Sequence, residues 1–360
     1  MTAPLRLCVD ATIAASGAVG INAYTFGLVE ALARRDDVEV ELLAPEPVPS
    51  EIGAVRVHAV PEGVAGVRSR VVWRERSVPR ILRASRAGAL LATSPELPFR
   101  PAGVPAAVVV HDVFPLAAPE LTGRAKQLRF RALLPGVCRR ADAIVCVSEA
   151  TRADLERTVP AALGKTRVIG EGPTALPAVE RRPAAEPWVL YVGELYRRKN
   201  LITLLEALRE VPGLGLRLAG PARPETRAAL ERQARDWGLA GRVRHEGFVT
   251  PRRLAELQAE ALALVLPSLA EGFGRPLLDA MAAGTPCVAS DIPALRELSA
   301  GAALLAGATD VGAWAAALRR VRDDAGLRDE LSARGRERAA AYAWERVAGE
   351  VAGLMTELAA

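Results

Sequence analysis

Short aliphatic runs alternate with longer helical stretches along most of this chain, and the alternation stops once and then restarts. LRLCVDA precedes a helical stretch over 22–35, and VEVELLA precedes a loop and a helix over 69–86. ALLAT, AAVVVHD, a helix over 124–139 and AIVCVSE complete the first series. Buried strands that alternate with helices specify βα units around a parallel sheet. The series restarts at WVLYVG and runs through LGLRLAG, VRHEGFV, LALVLPS and TPCVAS, with helices expected near 200–209, 224–237, 251–261 and 276–283. Two doubly wound α/β units follow, and 360 residues are more than one hydrophobic core usually organises. Between them GPTALPAVERRPAAEP (172–187) is proline-rich and has no period, so it reads as an extended linker holding the hinge. The expected division is therefore a first domain over 1–171, the linker, a second domain over 188–340 and a C-terminal helix over 341–360 that crosses back to the first domain. The tail is helical from about 310, with breaks expected near Gly326, Gly335 and Tyr342 to Trp344.

Half of the residues are hydrophobic and a quarter charged, which suits a globular protein and excludes a disordered or fibrous one. No run has the continuous apolar character of a membrane span, and Asp10 interrupts the one candidate for a signal-peptide core, so a cytoplasmic chain is expected. Cys8, Cys138, Cys146 and Cys287 are far apart and mostly in apolar runs, as expected of small core residues in a reducing compartment. No C-x-x-C pair occurs and only His58, His111 and His245 are available, so no metal site is expected. The net charge of +5 is too small to imply nucleic-acid binding. It is unevenly spread: Arg124, Lys126, Arg129, Arg131, Arg139 and Arg140 occupy 124–140 without one acid. Such a run is most often a solvated helix face, and it also suits a weak contact with an anionic membrane surface.

Nucleotide fingerprints fail at single positions. Gly164-Lys165-Thr166 lacks the earlier glycine of a P-loop, where Val159 stands, and Gly213-Leu214-Gly215 lacks the third glycine of a dinucleotide motif and precedes its strand. No D-x-D sequence is present to hold a divalent cation against a diphosphate. The strongest segment is PSLAEGFGRPLLDAMAAGTPCVAS (267–290), where a strand ends, a Gly-rich loop carries Glu271, and a helix starts near Pro276. Backbone N–H groups and the positive helix end then face one spot, an anion site. Asp279 lies about two helical turns beyond Glu271, within reach of the same elongated ligand; the plainer alternative is a tight turn with a first-turn acid. The second segment is YVGELYRRKNLITLLEAL (191–208), with Arg197, Arg198 and Lys199 directly before an amphipathic helix. Cations at a helix start oppose its dipole unless an anion is brought to them.

Together YVGELYRRKNL and EGFGRPLLDAMAAGTPCVAS resemble the retaining, nucleotide-sugar-dependent glycosyltransferases of family 4, over nearly the whole chain. VHDVFPLAAPE (110–120) is similar to that family's His-Asp loop, CVSEATRADL (146–155) to its V-S-x-x-[ST] strand end, and YAWERVA (342–348) to its C-terminal Phe-Ser-Trp-Glu stretch. The likeness is greatest to bacterial mannosyltransferases of surface polysaccharide synthesis. The resemblance implies the GT-B fold, two facing Rossmann-like domains with a deep interdomain cleft, and transfer of a hexose, mannose first, from a nucleoside diphosphate sugar to a hydroxyl of a glycan or lipid-linked acceptor.

By the same resemblance Glu271 binds donor-sugar hydroxyls with Phe273, Gly274, Leu277 and Leu278 beside it, and Lys199 with Arg198 clamps the diphosphate. Asp279 stands where the family has glutamate to hold the ribose diol, and Glu194 where some branches have arginine. Gly20 and Ile21 of AVGINAY match the first-domain glycine loop, although Asn22 and Ala23 stand where a basic residue is often found. His111 matches the residue that meets the sugar ring, though a strand-end histidine is also readily satisfied by backbone groups. The expected partners are thus a nucleotide sugar and a glycan or lipid-linked acceptor, with no cofactor, no metal and no nucleic acid. The expected location is the cytoplasm, peripheral at the inner face of the membrane. A catalytically silent nucleotide-sugar-binding regulator or scaffold shares most of these features and is the alternative.

Overall fold

ALLA, AAVVV and AIVC are buried at every position, as strands of a parallel sheet covered on both faces by helices must be. The computed structural model describes residues 3–16, 19–49, 52–53, 55–64 and 66–360. They form two compact units, Met1–Gly172 with Tyr342–Ala360, and Pro173–Ala341.

In the first unit β1 (Leu5–Asp10), α1 (Val19–Ala33), β2 (Val38–Pro45), β3 (Arg56–Val60), α2 (Val67–Ser85), β4 (Ala89–Ala92) and β5 (Ala106–Val110) follow in order. Then come α3 (Phe114–Ala117), α4 (Arg124–Arg140), β6 (Ala143–Cys146), α5 (Glu149–Thr158) and β7 (Thr166–Val168). Among the described residues the sheet has the order β3-β2-β1-β4-β5-β6-β7, parallel throughout. The chain therefore reverses its direction of winding between β1 and β4, the switch point where open α/β sheets bind ligands beyond their strand ends.

The second unit repeats the plan. It contains β8 (Trp188–Val192), α6 (Leu201–Arg209), β9 (Gly215–Ala219), α7 (Pro224–Asp236), β10 (Val243–Gly247), α8 (Pro251–Glu260) and β11 (Leu264–Leu266). It continues with α9 (Arg275–Ala283), β12 (Cys287–Ser290), α10 (Pro293–Ser299), β13 (Leu304–Ala306), α11 (Val311–Asp323) and α12 (Ala325–Ala340). The strand order β10-β9-β8-β11-β12-β13 puts the switch point between β8 and β11. The last helix, α13 (Trp344–Ala359), belongs to the first unit and buries Val347, Ala348, Val351 and Met355.

Several elements depart from the sequence reading. β3, β7, β13, α3, α5 and α10 are additional. β3 and β7 are edge strands with little burial, and β13 and α10 are too short for a period to register. α12 passes through Gly335 without a break, because that glycine is where α12 meets α9: an added Cβ there would lie 3.4 Å from Met281. The stretch read as a free linker has no helix or strand, yet it is docked on the second unit. Arg182 and Ala184 donate their amides to the carbonyls of Ala259 and Glu260, and the Arg181 guanidinium donates to those of Gln258, Ala261 and Leu262. The carbonyls of Gln258, Ala259 and Glu260 belong to the last turn of α8, which a helix cannot satisfy by itself, and those of Ala261 and Leu262 follow it. Desolvation lowers the Arg181 pKa to about 10. All four cysteines are buried and free. Among the described residues no helix is long and apolar enough to cross a membrane.

Candidate active site

The loops that leave β8 and β11 meet at the second switch point. Leu269 donates its amide to the carbonyl of Arg198 over 2.9 Å, which joins the two loops directly. After β8 the chain makes a 3-10 turn over Arg197–Lys199 and reverses at Asn200, which holds φ 52. Asparagine tolerates this left-handed backbone, and its side chain anchors it by donating to the Ala308 carbonyl at 2.7 Å and accepting from Thr203 Oγ1 at 3.0 Å. After β11 the loop ends at Gly274, with φ 101, where a Cβ would lie 2.4 Å from Leu295. Only glycine fits both constraints. As the N-cap of α9 it has no side chain to offer, so the helix starts without a side-chain cap.

This geometry gathers Arg198, Lys199, Ser268 and Glu271. The Lys199 ammonium donates to Glu271 Oε1, Ser268 Oγ donates to the same oxygen at 2.6 Å, and Arg198 Nη1 donates to Oε2 at 3.0 Å. Arg198 also donates to the Ala270 carbonyl. Lys199 is buried, 8% exposed, and so is the Glu271 carboxylate. Burial by itself pushes the Glu271 pKa up, but the Lys199 and Arg198 charges and the Lys199 and Ser268 hydrogen bonds outweigh it and bring the value down to about 2. Burial, with the Glu271 charge next, pushes the nearby Tyr191 phenol well above its ordinary value. One buried carboxylate is thus shared by two cations in the loops that precede α6 and α9.

Phe273 and Gly274 lie in the same loop and are buried. Asp279 is the fifth residue of α9, so it is not the first-turn acid of the plainer alternative. Its two oxygens accept from the Thr174 amide at 2.7 Å and the Thr174 hydroxyl at 2.9 Å, which fastens the 173–176 stretch to the helix. Leu277 and Leu278 require a correction. Their side chains have no exposed surface and their amides donate to the Gly274 carbonyl, so they are core residues of the helix start and cannot serve as donor contacts.

The remaining predicted residues lie in the first unit. His111 follows β5, with Nδ1 3.0 Å from Glu171 Oε1 and Nε2 3.0 Å from the Thr93 carbonyl. Tyr24 stands edge-on to the imidazole at 4.8 Å between centroids, and Trp344 of α13 stands against Tyr24 at 5.7 Å. Trp344 fits because Gly27 and Gly172 leave it room; a Cβ on either would come within 2.5 Å of its ring. Ser148 accepts from the Thr151 amide as the N-cap of α5, and Thr151 Oγ1 donates to the His111 carbonyl at 3.4 Å, which is what the V-S-x-x-T spacing achieves. Gly20 is exposed in the first turn of α1, not in a loop, and nothing lies within 4 Å of an added Cβ. Ala18 of AVGINAY lies outside the described residues.

Sequence reasoning missed a buried network at the first switch point. Arg74 Nε donates to Asp10 Oδ2 at 2.9 Å, and Nη2 donates to Thr12 Oγ1 at 2.6 Å and Glu96 Oε2 at 2.8 Å. Arg70 pairs with the same glutamate at 3.3 Å. Desolvation opposes the charge on Glu96, but Arg74 and Arg70 hold its pKa below the ordinary value. The available signal was Asp10 at the end of an apolar strand, since a buried acid requires a partner. Glu171, which orients His111, was hidden beside the proline-rich stretch.

Family models account for both units: the Glycosyltransferase Family 4 model matches residues 18–172, and the model of glycosyl transferases group 1 matches residues 174–338. The chain belongs to the family 4 glycosyltransferases. The glycosyltransferase is 29% identical over 257 residues to O-antigen chain mannosyltransferase B of Escherichia coli, covering 67% of each chain. It is 26% identical over 214 residues to the O-antigen chain mannosyltransferase RfbU of Salmonella typhimurium, covering 59% of this chain and 60% of that one, so the match spans less than two thirds of RfbU. Its fold is GT-B. It superimposes on a sucrose-phosphate synthase from Thermosynechococcus elongatus with a TM-score of 0.82 at 22% identity, covering 98% and 99% of the two chains. HepE of Anabaena, in complex with UDP and glucose, gives 0.77 at 18% identity, covering 98% and 99%.

Proposed function

We propose that this glycosyltransferase transfers a hexose, mannose first, from a nucleoside diphosphate sugar to a hydroxyl of a glycan or lipid-linked acceptor, with retention of configuration. The observation that carries the reading is the buried Lys199–Glu271–Arg198 cluster at the β8/β11 switch point, two cations to one carboxylate, in the loop that leads into α9. As the anomeric bond breaks, negative charge grows on the diphosphate. Lys199, Arg198 and the amide end of the helix then stabilise it in a place already organised to receive it. Glu271, held ionised by the same cations, accepts hydrogen bonds from sugar hydroxyls, and Phe273 and Gly274 border it. Asp279 takes the ribose diol. His111, fixed by Glu171 and Thr93, is assigned to the sugar ring. The mannose assignment is supported by the two O-antigen mannosyltransferase relatives, and the nucleotide donor by the UDP held in HepE.

Because cations of the protein neutralise the diphosphate, turnover is expected to survive exhaustive chelation; loss of activity restored by Mg²⁺ or Mn²⁺ would contradict that role for Lys199 and Arg198. The whole reading is tested by incubating the protein with a panel of nucleotide sugars, following donor consumption, and reading the product anomer by proton NMR. GDP-mannose consumed with an α-linked product supports it. Binding of nucleotide sugars with no consumption under any condition identifies a silent binding protein, and an inverted product overturns retention.

A further inference from the structure

The first unit contains a cavity of about 200 Å³ whose walls are mainly apolar, lined among others by Ile13, Leu97, Phe130, Leu133, Leu134 and Val137. It lies just beyond the ends of β1, β4 and β5, since Ile13, Ser94, His111 and Asp112 also border it. It is also bordered by α2, through Val67, Val71, Arg74 and Glu75, by Glu96, and by α4, through Lys126, Arg129 and Arg140. The six cations of α4 have no carboxylate within ion-pair distance among the described residues. Arginines elsewhere do: Arg227 pairs with Glu231 in α7, Arg334 with Glu330 in α12 and Arg346 with Glu350 in α13.

The cations at the rim are arranged over aromatic faces. Lys126 Nζ lies 5.7 Å and the Arg129 guanidinium 5.9 Å from the Phe130 ring centroid, and Arg140 lies 5.3 Å from that of Phe99. Arg140 Nε is buried with no hydrogen-bond acceptor. Burial lowers the Arg140 pKa, and the charge of Glu75 only partly offsets this. Phe99 and Leu133 remain 54% and 39% exposed beside these charges. Apolar walls alone would suit any hydrocarbon, and cations alone any anion; their juxtaposition selects a molecule that carries both.

We propose that this cavity binds a single-chain lipid phosphate, the phosphate meeting Lys126 and Arg129 and the hydrocarbon next to it lying along Phe130, Leu133 and Leu134 in the direction of Arg140. The proposal rests on the reading of a lipid-linked acceptor and names the part of that acceptor the first unit holds. It differs from adsorption of α4 to a bilayer, because the ligand is one molecule entering a cavity and is bound without any surface.

Dodecyl phosphate below its micellar concentration, titrated calorimetrically into the full chain, tests this directly. Saturable binding is expected, about tenfold or more tighter than for dodecanol or inorganic phosphate, since charge-assisted hydrogen bonds and apolar burial are each worth that much. Lys126→Glu with Arg129→Glu, and separately Leu133→Asp, should each weaken it by a similar factor while nucleoside diphosphate affinity, measured on the same samples, stays unchanged and reports an intact fold. Equal affinity for dodecanol, equal affinity for inorganic phosphate, or indifference to all three substitutions overturns the proposal. So does a protein that sediments with phosphatidylglycerol vesicles but ignores monomeric dodecyl phosphate, which identifies surface adsorption. Dodecyl phosphate binding without any nucleotide binding would leave the cavity assignment standing and remove the donor reading instead.

Discussion

The two sheets place a charged cluster at the same point of their topology, and the two clusters are balanced differently. In the first unit, Asp10 ends β1 and Glu96 follows β4, and two arginines of α2 answer them, so two acids meet two cations. In the second, Glu271 stands in the loop after β11 as Glu96 stands in the loop after β4, but its cations come from the loop after β8, and two of them meet one acid. A balanced buried network can fix a structure; one left positive retains attraction for an anion. The difference arises from one carboxylate, since the second unit has no acid at the end of β8 matching Asp10, where Val192 stands.

If the first network is structural, removing one charge should cost stability. Arg74→Ala leaves Asp10 and Glu96 buried without their main partner and is expected to destabilise the protein by about 3–5 kcal/mol in urea unfolding, while nucleotide affinity in the surviving folded fraction is unchanged. A stable variant with weakened nucleotide binding would reverse the two roles.

The Glu271 cluster should reveal itself in acid. Its folded pKa of about 2 lies below the ordinary 4.5, so its ionised form contributes stability above pH 4.5 that is lost as pH falls toward 2, about 3 kcal/mol in all. Glu271→Gln lacks this contribution. The stability difference between wild type and variant should therefore shrink across that window, and a difference independent of pH would mean that Glu271 is not held ionised by its neighbours.

A smaller effect is expected at Asp279, which accepts from Thr174 through both oxygens and is proposed to hold the ribose. Removing a charge-assisted acceptor costs about 1.5–3 kcal/mol. Asp279→Ala should weaken ribonucleotide binding several-fold or more and deoxyribonucleotide binding less, and titrating both nucleotides into both proteins completes a thermodynamic cycle. Equal losses would confine Asp279 to anchoring the 173–176 stretch.

The course of the chain was legible because parallel strands buried on both faces appear in sequence as unbroken apolar runs such as AAVVV and WVLYV. The edge strands β3 and β7 had no such run to show. The residues proposed to hold the donor were legible as types in two segments, RRK before a helix and E-G-F-G after a strand, because backbone turns and helix starts leave local traces. Their pairing left none: Lys199 and Glu271 are 72 residues apart, Asp10 and Arg74 64, and His111 and Glu171 60. Those contacts are set by which strands become neighbours. For the same reason Leu277 and Leu278 were assigned to a ligand, although the helix turns both into the core.

The central claim is that the positive cluster of the second unit acts on charge that develops during transfer, and kinetics of Lys199→Ala test it most directly. A preorganised cation lost from such a site should lower kcat by about 10²–10³, or roughly 2.7–4 kcal/mol, with a much smaller change in nucleotide affinity, because Arg198 and the α9 amides remain for the ground state. Near-wild-type kcat in a folded variant would contradict the claim, and a loss confined to KM would show that Lys199 only binds the donor.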